Sequence, residues 1–187
     1  MKTVSAVTTV ITIVAAITLA GAADAQTPAQ SPMPTSSHVG DIPQSMRVEH
    51  DNTIAQLTKL SRKRGPVGVE ARKALALFKQ HLQREEAFIL PPLTLLPELA
   101  EGKVSPDMKW AIAMSDRVKA EREETFLEHT RITDAMNALA TAARTAHDQE
   151  ALDFAQGAVG DSLSDTEITE PASILVGEYL RAKLPAQ

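Results

Sequence analysis

Apolar residues recur at helical spacing along most of the chain after residue 44. The first segment of this kind carries a stripe of Met46, His50, Ile54, Leu57 and Leu60. Positions three and four residues apart lie on one face of a helix, so this pattern predicts a first helix with a buried stripe. Gly and Pro at 65–66 are helix-ending residues and predict its end.

Two further stripes predict a second and a third helix. The second stripe stops at Pro91-Pro92 and consists of Ala74, Leu77, Phe78, His81, Glu85 and Phe88. Ser105-Pro106-Asp107 has the residue types of a helix start, which predicts that the third helix begins there and, if it is unbroken, extends for about 35 to 40 residues. Its stripe consists of Val118, Arg122, Thr125, His129, Ile132, Met136 and Leu139.

The fourth predicted helix starts with Asp148 as its N-terminal cap. Its stripe consists of Phe154, Ala158, Asp161, Asp165 and Ile168. Gly157 and Gly160 in its interior each cost about 1 kcal/mol relative to Ala, so tertiary packing must hold this helix. Pro171 is expected to kink or interrupt it.

The second half of the chain repeats the spacing of the first. RVEHDNTIAQL around His50 matches FLEHTRITDAM around His129, and the two histidines are 79 positions apart. His81, Glu85 and Pro91 are matched by Asp161, Asp165 and Pro171, each 80 positions later. The repeat predicts two helical hairpins, and hence an all-α, antiparallel up-and-down four-helix bundle over residues 44–187.

The segment before the bundle predicts export. Residues 1–25 combine Lys2, an uncharged run and a small-x-small end, which is typical of a signal peptide cut after Ala25. An uncleaved membrane anchor is the alternative interpretation. Residues 26–43 are rich in Pro, Ser and Thr and predict a flexible linker. We therefore expect a periplasmic or secreted protein without stable membrane insertion once the signal is removed.

Composition narrows the chemistry of any site. The chain has no cysteine and a formal net charge of -5. Without thiolates, a metal must be held by His, Asp and Glu, and the acidic balance gives no basis for binding nucleic acid. No nucleophile triad or phosphate-binding loop indicates a hydrolase, so whether the protein is an enzyme stays open, and a metal-binding, redox-responsive protein is favoured.

Polar residues on the predicted inward stripes are the candidate metal ligands. Burying them without partners would cost several kcal/mol, whereas one bound cation compensates all of them together. Imidazole and carboxylate ligands suit iron, manganese or zinc. The candidate ligands are His50, His81, Glu85, His129, Asp161 and Asp165. Glu86, Glu167 and Glu170 are alternative ligands, for which solvated or supporting roles are favoured.

The chain resembles the hemerythrin-like, or HHE cation-binding, family. The resemblance covers about residues 44–184 and rests on EH at 49–50, HLQREEAFILPPL at 81–93, EH at 128–129 and the tail EPASILVGEYLRAKL. It implies a four-helix bundle with a non-haem di-iron centre that binds O2, NO or peroxide. Under it, His50, His81 and His129 resemble terminal ligands and Glu85 resembles a bridging carboxylate.

The fourth helix departs from the family pattern, because Asp161 stands where the family has histidine. A two-metal site, a one-metal site and a bundle without metal are therefore all open. If Asp161 is a ligand, its carboxylate favours Fe(III) over Fe(II). The alternative function is a metal-free bundle that acts as a structural or interaction module.

Overall fold

A computed structural model describes residues 41–184, and within that range the chain consists of helices and their connections, with no strand. The all-α prediction is therefore confirmed. The predicted signal segment and the predicted linker up to residue 40 lie outside the described residues. Within those limits, no helix has the length and apolar character needed to cross a membrane.

The first two helices form the beginning of the fold. Helix α1 spans Gln44–Ser61. Helix α2 spans Pro66–Arg84, with Pro66 in its first turn and Gly65 before it at φ 78°. Glycine adopts this left-handed conformation without the steric cost of a Cβ, which explains the sharp reversal between α1 and α2. A π-helical segment, Glu85–Ile89, continues α2 directly.

A connecting region leads to the second half. It contains a 3-10 helix at Pro91–Leu95, the short helix α3 at Leu96–Ala100 and a second 3-10 helix at Pro106–Lys109. Helix α4 then spans Trp110–Ala120, and helix α5 spans Arg122–Thr145.

The third predicted helix is broken at Glu121. This residue separates α4 from α5 with φ -97° and ψ 10°, outside the usual helical region. Arg122, predicted to face inward, is exposed. Val118 and Thr125 are seven residues apart and both buried, so the stripe keeps its phase across the break, and Arg122, the first residue of α5, is the position that departs from it.

The last helical stretch begins as predicted. Helix α6 spans Gln149–Ser164, and the carboxylate of Asp148 accepts a hydrogen bond from the backbone N–H of Ala151 at 3.3 Å. A second π-helical segment, Asp165–Thr169, follows, and helix α7 spans Glu170–Lys183 with Pro171 in its first turn. The interruption near Pro171 was predicted, but its π-helical form was not.

Ile168, predicted to be buried, is 66% exposed. A π turn holds one more residue than an α turn and so rotates everything after it by about 100° around the helix axis. Ile168 lies within this segment and faces outward, and Glu170, directly after it, is brought inward and is 2% exposed.

Apolar clusters lie on both sides of a polar layer. Helices α1, α2, α5 and α6 share one cluster, which includes Leu57, Ala74, Met136 and Ala158. Another cluster joins α4 and α7 to the 3-10 segments, and a third contains Phe88, Ile89 and Val118. Along α2, the polar residues come between Ala74 and Phe88, so they occupy the layer between these cores.

Candidate metal centre

Four side chains converge in the polar layer. They are His81, Glu85, His129 and Asp165, and each offers a nitrogen or oxygen atom such that all four atoms lie within 4.8 Å of one another. Three of the residues are buried and Asp165 is partly buried. Two imidazoles and two carboxylates at this separation can hold a metal ion.

The two π-helical segments contribute the carboxylates. Glu85 begins the first segment and Asp165 begins the second, 80 positions later. His81 is one turn before Glu85 on α2, so the two side chains lie on the same helix face. π turns within α-helices occur frequently at functional sites. The sequence repeat therefore has a structural counterpart at the predicted ligands.

Glu85 connects the group of four to His50. Its Oε1 lies 3.4 Å from His81 Nε2, and its Oε2 lies 3.2 Å from His50 Nε2. His50 is 7% exposed but lies outside the group of four. One carboxylate thus faces imidazoles on both sides, which is the arrangement that a bridging ligand between two metal ions would need.

The buried histidines His50, His81 and His129 each have a carboxylate beside the other ring nitrogen. Nδ1 of His50 lies 2.9 Å from Glu86, Nδ1 of His81 lies 3.6 Å from Glu128, and Nδ1 of His129 lies 3.5 Å from Glu170. A second contact of His129 Nδ1 is Thr166 Oγ1, at 2.5 Å. A carboxylate behind a histidine fixes the ring and raises its basicity as a ligand, a common feature of metal sites.

The supporting carboxylates were only partly predicted from the sequence. Glu86 and Glu170 were recognised as candidates for supporting roles, whereas Glu167 is exposed. Glu128 and Thr166 were missed. The EH pair at 128–129 was visible, but Glu128 supports His81 on another helix and not its own neighbour. Pairings between helices leave no fixed spacing in a sequence.

The electrostatics of the group depend on burial and on close opposite charges. Burial disfavours the ionised form of Glu85, but hydrogen bonds with His50 and His81 outweigh it and lower the pKa of Glu85 to about 2. Burial lowers the pKa of His50, but its bonds with Glu85 and Glu86 raise it overall to about 9. The metal-free centre therefore keeps Glu85 ionised beside a protonated His50.

The pKa values of the other buried groups in and beside the centre shift in different directions. Burial, followed by the charge of Glu85, raises the pKa of Asp165 to about 7, and burial raises the pKa of Glu170 to about 7. Burial, together with the charge of His81, lowers the pKa of His129 to about 4. His81 itself has a raised pKa because its bond with Glu85 outweighs burial. Metal binding would displace the proton from Asp165.

A cavity of about 20 Å³ lies next to the centre. It is lined by Glu49, His50, Glu85, Asp161 and Asp165 among others. This volume is about that of one water molecule. Asp161 is exposed and lies on the cavity wall, outside the group of four. Its role as a ligand therefore stays a prediction, and so does that of His50.

His147 adds no further candidate ligand. His147 is exposed, whereas His50, His81 and His129 are buried, and its backbone has a positive φ of 54°.

No family model, curated protein or solved structure matches this chain.

Proposed function

We propose that the protein is an exported, hemerythrin-like non-haem iron protein that binds or reacts with O2, NO or peroxide. The observation that carries this proposal is the convergence of His81, Glu85, His129 and Asp165 within 4.8 Å. Two imidazoles with two carboxylates suit iron, with manganese and zinc as alternatives. Iron would supply redox chemistry at this place, while the chain supplies the ligands, their orientation and a largely buried surrounding.

The proposed architecture is an antiparallel up-and-down four-helix bundle made of two hairpins. The apolar cluster shared by α1, α2, α5 and α6 supports it, because four antiparallel helices would bury one common core of this kind. The two π-helical segments at corresponding positions support the hairpin repeat.

The proposed centre is di-iron, with Glu85 as the bridging carboxylate. The first iron would take the group of four, and the second would lie on the His50 side of Glu85, where Asp161 lines the cavity. A single iron in the group of four is the simpler alternative. If a single iron is bound, the cavity beside it leaves room for a ligand about the size of one water molecule.

The second candidate function is a bundle that acts without metal. Its support is the close contact of Glu85 with both His50 and His81, at 3.2 and 3.4 Å. A protonated His50 compensates the buried carboxylate of Glu85, so the folded chain has a charge balance of its own. In this case the polar layer would serve fold specificity rather than chemistry.

Metal analysis distinguishes the two. The mature protein should be purified from iron-fed cells and, separately, reconstituted anaerobically with Fe(II). We expect close to two irons per chain, or one for the simpler site, and a charge-transfer band after oxidation. Absence of iron, manganese and zinc uptake under anaerobic reconstitution would contradict the metal proposal and support the bundle that acts without metal.

A further inference from the structure

His81 has a second polar partner on the side opposite the group of four. Its Nδ1 lies 3.6 Å from Oε2 of Glu128, and both atoms are buried without a hydrogen-bond partner. Unsatisfied buried polar atoms are rare and costly. A proton on Nδ1 directed at Oε2 satisfies both atoms after a small closure of the distance.

The position of that proton decides what the other nitrogen can do. A neutral imidazole carries one proton, so a proton on Nδ1 leaves the lone pair of Nε2 free. Nε2 is the atom that points toward His129, at 3.2 Å, and toward Glu85. Only the Nδ1–H form of His81 can therefore offer a nitrogen ligand to the group of four.

Arg84 holds Glu128 in the orientation that this requires. Its Nη1 donates to Oε1 of Glu128 at 2.9 Å, and its Nη2 donates to Oε2 of Glu121 at 2.8 Å. The Arg84 side chain is only 18% exposed. The planar guanidinium fixes one oxygen of Glu128 and so turns the other oxygen toward His81.

Glu128 has an alternative partner close by. A cavity of about 30 Å³ is lined by His81, Glu128 and Arg131, among others. Arg131 is exposed and three residues after Glu128 on α5, a spacing at which opposite charges pair on a helix. Without Arg84, the Glu128 carboxylate would be free to turn through this cavity toward Arg131.

We infer that Arg84 is a positioning residue that acts through Glu128 to keep the proton of neutral His81 on Nδ1. The residue thereby presents Nε2 to the group of four. The functional meaning of this inference rests on the proposed metal site, but the tautomer of His81 is a property of the metal-free chain and is measured without metal.

The test compares Arg84→Gln and Arg84→Lys with Arg117→Gln. Arg117 is a matched control because it also binds Glu121, at 2.7 Å, and stacks on Phe88, but it has no contact with Glu128. The first readout is the pair of imidazole 15N shifts of His81 in metal-free protein, at an alkaline pH where the ring is neutral. The second is Co(II) affinity, followed by absorption.

We expect Nδ1–H in the parent protein and in Arg117→Gln, and a mixture of tautomers in Arg84→Gln. Co(II) affinity should fall by roughly 10- to 100-fold in Arg84→Gln, the range typical for lost outer-shell partners. Arg84→Lys retains the charge without the planar fork and should restore part of the loss. A proton on Nε2 of His81 in the parent protein would overturn the inference, as would equal tautomer populations in Arg84→Gln and Arg117→Gln.

Glu128→Gln keeps the test decisive if Arg84→Gln does not fold. The carboxamide has the shape of the carboxylate but can either accept from or donate to Nδ1, so it should release the tautomer preference. An unchanged Nδ1–H population would contradict the inference. If the parent protein binds no metal but the tautomer of His81 depends on Arg84, the metal proposal fails and the positioning role of Arg84 stands. If the protein binds metal but the tautomer does not depend on Arg84, the metal proposal stands and the positioning role fails.

Discussion

The Nε2 atom of His81 lies 3.2 Å from the Nε2 atom of His129, with the two rings at 73° to each other. Two nitrogen lone pairs at this distance repel unless a proton or a cation lies between them. The pKa shifts favour a proton on His81 over one on His129. Burial and the charge of His81 lower the pKa of His129 to about 4, while the pKa of His81 is raised. A metal ion would take the same place as the proton.

Removal of either histidine should abolish tight metal binding. In His81→Ala or His129→Ala, one nitrogen ligand of the group of four is missing, and the loss of affinity should exceed the roughly 10- to 100-fold typical of outer-shell partners. Co(II) titration of the parent and variant proteins measures this effect. His147→Ala is the control, because His147 is exposed. A variant of His81 or His129 with the parent affinity would place the metal elsewhere.

The stability of the metal-free protein should fall as the pH rises from 6.5 to 9. His50 has a pKa of about 9 in the folded chain against an ordinary value of 6.5, because its bonds with Glu85 and Glu86 outweigh burial. The folded state therefore holds a proton that the unfolded state has released. The stabilisation is complete below pH 6.5 and is lost as the pH rises through 9. Glu85, whose pKa is lowered to about 2, does not titrate in this window.

Stabilisation by bound metal should have the opposite pH dependence, since a metal ion displaces protons from its ligands. The rise in Tm on adding metal is thus expected to grow between pH 6.5 and 8.5. Thermal unfolding with chelator and with Co(II), at several pH values, provides the measurement. His50→Gln should flatten the metal-free curve. A metal-free Tm that increases over this range would show that His50 is not held protonated by the fold.

Much of the fold was predictable from helical spacing, because burial of an apolar stripe is what holds each helix in place. Leu57, Phe88 and Met136 are buried where the stripes put them. Arg122 and Ile168 were predicted wrongly because each lies at an interruption of the helix: Arg122 directly follows the break at Glu121, and Ile168 lies within the second π-helical segment. The sequence offers no marker for a π turn or for the break at Glu121.

The site was predictable as far as it lies on those stripes. His81, Glu85, His129 and Asp165 were found because polar residues at buried positions need partners. Glu128 and Thr166 were missed because each supports a histidine on a different helix. Such contacts depend on how helices are rotated against each other, which periodicity alone does not determine.

Glu85→Gln should lower the pKa of His50. The hydrogen bond with Glu85 raises this pKa more than the one with Glu86, so Glu85→Gln should have a larger effect than the matched variant Glu86→Gln. NMR titration of the His50 ring measures both. The same Glu85 variant should lose metal, because an amide is a poor substitute for a bridging carboxylate. Equal pKa shifts in the two variants would contradict the role of Glu85 as the main partner of His50.

Asp161→His should strengthen iron binding. Asp161 lines the cavity that also contains His50 and Glu85, so an imidazole there would add a nitrogen ligand on the His50 side. Replacing a carboxylate by a neutral ring also favours Fe(II), so autoxidation should slow. Iron content after anaerobic reconstitution and the rate of oxidation in air are the measurements. Iron binding identical to the parent would show that Asp161 has no place in the centre.

Three glycines allow a matched test of packing in α6 and α7. A Cβ on Gly177 would lie 2.3 Å from Cβ of Ser115, whose hydroxyl donates to the carbonyl of Ser173 at 2.7 Å. Gly177→Ala therefore requires α4 and α7 to separate, and we expect a loss of about 1 to 3 kcal/mol in the free energy of unfolding. A Cβ at Gly157 or Gly160 meets nothing within 4 Å.

Gly157→Ala and Gly160→Ala should each stabilise α6 by about 0.5 to 1 kcal/mol, because alanine reduces the freedom of the unfolded chain without a clash. Urea denaturation of the metal-free proteins measures all three variants. The comparison separates helix propensity from packing, because the same Gly→Ala change is made at open positions in α6 and at a closely packed position in α7. Stabilisation by Gly177→Ala would mean that α4 and α7 do not pack as closely as the Ser115 contact indicates. Destabilisation at Gly160 would mean that this face of α6 is covered by another part of the chain or by a partner.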